Sequence, residues 1–294
     1  MTGDFFLRLR PADLLNFSFA SLLIAVTAAF HEKINDPWSL IAVYSSIIVI
    51  QVVLERVKGK GGVVRFTYDL GFPVFSILVM FESLEKIVHH INPRDIDPLL
   101  IRLDYMLFGG YPTVMLEKIM SPLLTDILQV AYTSYYFLPI TLGVVLMIKK
   151  ENRSFEHSLF MIMLCFYLSY IGYMVTPALG PRYTMHHLQE RELEGLFLAG
   201  PVQHLLNFLE GIKRDAFPSG HTGVALTVLY LAFLHEKKLF GIFLPVTAAL
   251  IFSTVYCRYH YVVDVVAGIG LAVITILLGE TYYGYRSKRI YSDN

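Results

Sequence analysis

Residues 262–282 read VVDVVAGIGLAVITILLGETY, and this stretch decides the class of fold. A helix crosses a bilayer core about 30 Å thick with about 20 largely apolar residues. This run has that length, and its acids, Asp264 and Glu280, stand near its two ends. Working back toward the N-terminus, similar runs recur near Phe240–Cys257, Thr222–His235, Leu159–Val175, Leu123–Ile148, Phe72–Val88, Trp38–Leu54 and Leu14–Phe30. The expectation is an all-α, polytopic membrane helix bundle of about eight spans. Composition agrees: the chain is 55% hydrophobic and only 16% charged, where a soluble domain is about a quarter charged. A formal net charge of +0 gives no basic surplus for a nucleic-acid partner. The first run follows Arg8 and Arg10 and is read as a retained span rather than a signal peptide, because the chain goes on to span repeatedly. Cys165 and Cys257 both lie in apolar runs, with no metal or redox spacing, and read as packing residues.

Basic residues collect on the cytoplasmic side of membrane proteins. Arg8 and Arg10 precede the first span; Arg56, Lys58, Lys60 and Arg65 follow the second; Lys149, Lys150 and Arg153 follow the fourth. Lys237 and Lys238 follow the sixth, and Arg286, Lys288 and Arg289 follow the eighth. An eight-span path puts all of these on one side, with both termini cytoplasmic. The loops after spans three, five and seven then lie on the extracytoplasmic face, periplasmic or lumenal.

Two segments on that outer side are too polar to span and too apolar for free loops. Near Asp97–Met120, Leu99, Leu100, Leu103, Met106 and Leu107 share a helical face, and Gly109-Gly110-Tyr111-Pro112 breaks the helix. Near Val202–Ile212, Val202, Leu205, Leu206, Leu209 and Ile212 share another. Both read as amphipathic helices in the interface plane, the second as an anchor or a half-inserted lid.

Three short segments fall on the same outer face: Pro177–Tyr183 after span five, Phe217–Thr222 opening span six, and Arg258–Asp264 joining spans seven and eight. Phosphoryl transfer needs aimed donors for negative charge and a nucleophile placed in line. Arg182 offers a fork of donors suited to phosphate oxygens. Ser219 and Gly220 at a helix start offer backbone N–H groups, a hydroxyl and close approach. His221 in the first turn serves as a proton donor to the leaving oxygen. His260 and Asp264 are four apart; on a helix starting near His260, Asp264 accepts from one ring nitrogen and leaves the other free to attack phosphorus. An ionisable residue at bilayer depth is read as functional by default.

These residues resemble the type 2 phosphatidic acid phosphatase superfamily, which also includes vanadium haloperoxidases. Its second motif, Pro-Ser-Gly-His, stands intact at Pro218–His221; its third ends in His-x-x-x-Asp, here His260–Asp264 followed by Ala267-Gly268; the Arg ending its first is placed on Arg182. The resemblance implies His260 as nucleophile forming a phosphohistidine, His221 as acid/base, Asp264 as its partner, Arg182, Tyr183, Ser219, Gly220 and Arg258 around the phosphate, and neither metal nor cofactor. It implies a lipid phosphate substrate and a six-helix core at residues 66–294, ending in a cytoplasmic tail, with residues 1–65 as two added N-terminal spans. Two positions depart from the pattern. The first motif's usual Lys is Val175 and the third motif's usual Arg is Thr254. Arg258, one helical turn after Thr254, is expected to reach the phosphate in its place; Lys213 or Arg214 could supply a further cation, but the pair is read rather as a solvated loop pair. Gly-Pro-Arg-Tyr, the Asp104 to Gly-Tyr-Pro segment and Tyr132–Pro139 are similar to the inositol phosphorylceramide synthase branch, which moves a phospho-headgroup between lipids.

Two other classes compete. A non-catalytic transporter would fit many spans with buried acids, but no internal repeat or Gly/Pro-broken pair in matching halves is present. A membrane metalloenzyme would use His221, His260, Asp264 and His187. His186 and His187 read as loop residues, His89 and His90 as interfacial, and Tyr132, Tyr135 and Tyr136 as a packing stripe. Glu82 and Glu85 face either a polar cavity or its rim, and oligomeric state is left open.

Overall fold

The computed structural model describes residues 9–203 and 213–292. Arg8 and most of the amphipathic Val202–Ile212 segment lie outside the described residues, as do the side chains of Arg286, Lys288 and Arg289. The architecture is all-α. The crossings are α1 (Pro11–Ala29), α2 (Pro37–Val57), α3 (Phe72–Leu84), α5 (Pro122–Ile148), α6 (Asn152–Val175), α7 (Gly220–His235), α8 (Lys237–Tyr256) and α9 (Val262–Ser292); α4 (Asp97–Phe108) lies between α3 and α5. Among the described residues seven helices are long and apolar enough to cross a membrane, α3 as part of Gly62–Leu84. The chain is therefore a multi-pass integral membrane protein. The eighth crossing, α7, is apolar but shorter, because its N-terminus opens inside the bundle at the candidate site.

The helix α7 is apolar on every side, the pattern of a helix enclosed by others. It packs against α5, α6, α8 and α9, burying Val224, Val228, Leu231 and Ala232. The two N-terminal helices are tied to this core by polar groups rather than by apolar contact alone. Asp13 accepts from the Arg10 guanidinium, from Gln51 at 2.9 Å and from the Tyr68 hydroxyl at 2.5 Å. Asn16 joins Gln51, Ser76 and Tyr167. Helices in lipid have no hydrophobic drive to associate, so buried hydrogen bonds of this kind fix which faces meet. Both partners of each bond are protein groups, so the charges of Arg10 and Asp13 are compensated in place.

Several basic residues of the loops are paired with nearby acids. Arg10 and Arg65 both pair with Asp69, and Lys149 pairs with Glu236 between α7 and α8. At the other end, α4 is an amphipathic helix capped by Gly109 in the left-handed region. Leu99, Met106 and Leu107 are exposed, whereas Asp97, Leu100 and Asp104 are buried. The apolar face thus points outward, as suits a helix bathed in lipid, and its carboxylates point into the bundle. Glu82 is exposed and Glu85 half-buried, which places both at the rim.

Candidate active site

The three motif segments meet, and the first contacts are between backbones. Ala216 N–H donates to the Ala178 carbonyl at 3.1 Å, and Ser219 N–H donates to the Asp264 carbonyl at 3.1 Å. Gly180 takes φ 87°, and a Cβ there would lie 2.6 Å from the Tyr259 carbonyl oxygen, so the first segment rests directly on the third.

Two carboxylates of α4 hold this assembly. Asp97 accepts from the N–H groups of Leu179 and Gly180 at 2.9 and 2.8 Å and from the Tyr261 hydroxyl at 2.8 Å. Asp104 accepts from Val262 and Val263 N–H at 2.9 and 3.0 Å. The first amides of a helix lack partners within it, and Asp104 supplies them for α9. Burial pushes the Asp104 carboxyl up while those two amides pull it back. Asp264 completes the cap, accepting from Tyr261 N–H at 2.8 Å, as an acidic residue in the first turn does in a capping box. These roles of Asp97 and Asp104 were not read from sequence; the signal was two acids seven apart, flanking Leu100 on one face of an otherwise apolar helix.

The imidazoles of His260 and His221 lie inside this frame, 3% and 8% exposed. His260 Nδ1 is 2.8 Å from the Ala216 carbonyl, and His260 Nε2 is 3.3 Å from His221 Nδ1. A carbonyl only accepts, so Nδ1 carries the proton and Nε2 keeps its lone pair. Asp264 Oδ2 lies 3.5 Å from the same Nδ1, so the expected His260–Asp264 pair is present, at more than ordinary hydrogen-bond length, while the Ala216 carbonyl makes the shorter contact. A main-chain acceptor leaves no trace in a side-chain motif.

His221 is held between two tyrosines of α5. Its ring lies 4.4 Å from that of Tyr132 and 4.2 Å from that of Tyr135. Tyr132 in turn stacks on Tyr259 at 4.1 Å, and the Arg182 guanidinium lies 5.6 Å from the Tyr259 ring. The stripe read as packing therefore packs on the acid/base candidate itself, and Arg182 stands at the far end of the same aromatic stack. Tyr183 is about half exposed beside Arg182.

The residues expected around the phosphate have protein partners in the structure, and the helical face assumed for Arg258 and Thr254 is absent. Arg258 takes φ 65° after α8 has ended at Tyr256, so it shares no helical face with Thr254. Its Nη2 bonds Glu117 at 2.7 Å and the Arg191 carbonyl at 2.5 Å; burial lowers its pKa and Glu117 raises it. Ser219 N–H is taken by Asp264, and the Ser219 hydroxyl accepts from Thr222 N–H at 3.2 Å. A side-chain carbon at Gly220 would collide with the Tyr173 hydroxyl, so this glycine makes room for a tyrosine. Arg214 pairs with Asp95 at 2.8 Å, and Lys213 is exposed. His186 and His187 are exposed as well. Removing one partner of a buried ion pair strands the other, at about 3–5 kcal/mol. Glu117→Ala should accordingly lower stability by about that amount in thermal unfolding, and Glu117→Ala combined with Arg258→Met should recover most of it.

Sequence reasoning also passed over Asp215. It is half-buried between Arg214 and Ala216, and burial pushes its carboxyl up to about 6 against the opposing pull of His260.

The PAP2 superfamily model matches residues 99–278, which include α4 from Leu99 onward, all three motif segments and most of α9. The chain belongs to the PAP2 superfamily. Among curated proteins it is 25% identical over 197 residues to a PA-phosphatase related-family protein of Dictyostelium discoideum, covering 60% of this chain and 35% of that one. It is 25% identical over 175 residues to a phosphoinositol dihydroceramide synthase of Bacteroides thetaiotaomicron, covering 54% of this chain and 55% of the synthase. The chain thus spans about a third and about half the length of these relatives. No solved structure matches.

Proposed function

We propose that this protein transfers a phosphoryl group from a lipid phosphate through a phosphohistidine at His260 Nε2, without a metal. The observation that carries the reading is the pairing of His260: Nδ1 fixed on the Ala216 carbonyl, Nε2 facing His221. A nucleophile needs its lone pair available and its other nitrogen oriented. Nε2 attacks phosphorus, the bond to the leaving oxygen breaks, and His221 gives that oxygen a proton. In the second half a hydroxyl attacks the phosphohistidine, the P–N bond breaks with its pair returning to Nε2, and His221 takes the hydroxyl's proton. At 3.3 Å the two rings are too close for a phosphoryl group between them, so substrate entry separates them. Arg182 balances the phosphate charge, while Asp264 and Asp97 act as positioning residues. Residues 66–294 form the catalytic core and residues 1–65 an N-terminal addition, with the site on the extracytoplasmic face and both termini cytoplasmic.

Water as attacking group gives a phosphatase; an alcohol gives a transferase. Similarity to a protein named as a phosphoinositol dihydroceramide synthase supports the second. The test is an assay of purified protein in excess chelator against a panel of lipid phosphates and phosphodiesters, alone and with lipid alcohols or polyols added. Product formed in chelator supports the proposal. Turnover that collapses in chelator and returns with a divalent cation would favour a metal-dependent mechanism, although among the described residues no three His, Cys, Asp or Glu side chains are grouped as metal ligands.

A further inference from the structure

Near the N-terminus of α5 a single carboxylate holds four consecutive main-chain amides. Asp126 Oδ2 accepts from Leu196 and Phe197 N–H at 3.1 and 3.0 Å, and Oδ1 accepts from Leu198 and Ala199 N–H at 3.1 and 2.7 Å. An ionised carboxylate has about four lone-pair sites, and here each is taken by an amide. Asp126 is buried. A side-chain carbon at Gly195 would collide with it, so the chain can close on the carboxylate because that residue has none. A helical turn then starts at Ala199, and the Leu198 carbonyl accepts from Val202 N–H at 2.9 Å.

The backbone of this turn is satisfied, yet its side chains face outward. Leu196, Phe197 and Leu198 are 51%, 82% and 50% exposed. Glu190, Arg191, Glu192 and Glu194 precede Gly195, whereas residues 195–203 carry no charge, so polarity changes sharply at that glycine. The level of the turn along α5 says what covers it. Leu123, Ile127 and Val130 are exposed and share one helical face, so α5 meets lipid at this height. Asp126 lies between Leu123 and Ile127, which are about 6 Å apart along the axis. In water neither a carboxylate nor an amide needs a protein partner; at the edge of hydrocarbon each unpaired group is costly. The clamp satisfies all five groups and leaves hydrocarbon facing outward.

We propose that Leu196, Phe197 and Leu198 form a wedge seated in the bilayer leaflet on the active-site side, locked to α5 by Asp126. Its partner is the upper acyl-chain region of that leaflet. With three acids and one arginine just before it and no cation within it, the wedge suits a zwitterionic lipid surface rather than an anionic one. It stands near the middle of the connection between Arg182 and Pro218–His221, so it ties that connection to the membrane at its centre. The proposal concerns the membrane seat of the fold and is independent of the phosphohistidine chemistry above.

The test uses the full-length protein with Trp38→Phe, which removes its one tryptophan, and Phe197→Trp. It is reconstituted in zwitterionic phosphatidylcholine carrying bromine either near the headgroup end of the chains or near their methyl ends. Fluorescence of the introduced indole should fall by about half or more with the shallow bromines and less with the deep ones, and acrylamide in the water should change it little. Adding Asp126→Ala should reduce the shallow quenching at least about twofold and admit acrylamide, with Asp126→Asn in between because it keeps one acceptor oxygen. If Asp126→Ala does not fold, Leu196→Ser combined with Leu198→Ser, both at exposed positions, should shift the quenching in the same direction. Strong acrylamide quenching with none from bromine would place the wedge in water and overturn the proposal. Protection from both quenchers, with disulfide cross-linking between copies that carry Phe197→Cys, would mean that a second copy covers it and would overturn it as well. Unchanged quenching in a folded Asp126→Ala protein would overturn the role given to Asp126.

Discussion

Replacing His260 by Ala should lower turnover by about 10⁴-fold or more, while the protein stays folded. General acid–base groups contribute about 10²–10⁴, and removing the nucleophile from a constellation that acts as a unit costs more, of order 10⁶ in one well-studied hydrolase. The imidazole makes one strong structural bond, to the Ala216 carbonyl, so the variant also loosens the segment before α7. His260→Asn separates the two effects, because its side-chain amide can donate to that carbonyl and has no nucleophilic nitrogen. Equal loss in both variants, with the melting temperature preserved in the second, assigns the effect to chemistry. An Asn variant retaining more than about a tenth of wild-type turnover would mean that His260 only positions the loop.

The second large effect is expected at a residue remote from any reacting atom. Asp97→Ala strands the N–H groups of Leu179 and Gly180 and the Tyr261 hydroxyl, in a place where the carboxylate is 2% exposed. Each unsatisfied buried donor costs about 1–3 kcal/mol. Asp97 joins the first motif segment to the third, so its loss lets Arg182 drift relative to His260, and a misplacement of about 1 Å is worth about 10²-fold in rate. The expected result is a fall in kcat of that order with a smaller change in KM, accompanied by faster amide exchange at Leu179 and Gly180. Asp97→Asn keeps one acceptor oxygen and should recover part of both. Unchanged kcat with lowered stability alone would make Asp97 a fold residue only.

The spans were legible because hydrocarbon imposes one rule on every crossing: a long apolar run with its polar groups paired within. That the three motif segments would come together was also legible, and in the structure they touch. The carboxylates that set the site were not legible. Asp97, Asp104 and Glu117 bind backbone amides and a guanidinium far away in sequence, and no spacing rule links a residue of α4 to the cap of α9. Arg258 was misplaced because a left-handed turn at that residue breaks the helical face it was assumed to share with Thr254. The Ala216 carbonyl could not be seen at all, since any residue would supply it.

The most direct measurement is a rapid acid-free quench of the enzyme with a lipid phosphate donor, followed by peptide mass spectrometry for phosphohistidine. The account predicts one phosphorylated peptide, modified at His260, which accumulates in His221→Ala and vanishes in His260→Ala. Phosphate on His221 instead, or steady turnover with no phosphorylated histidine in either background, would contradict it.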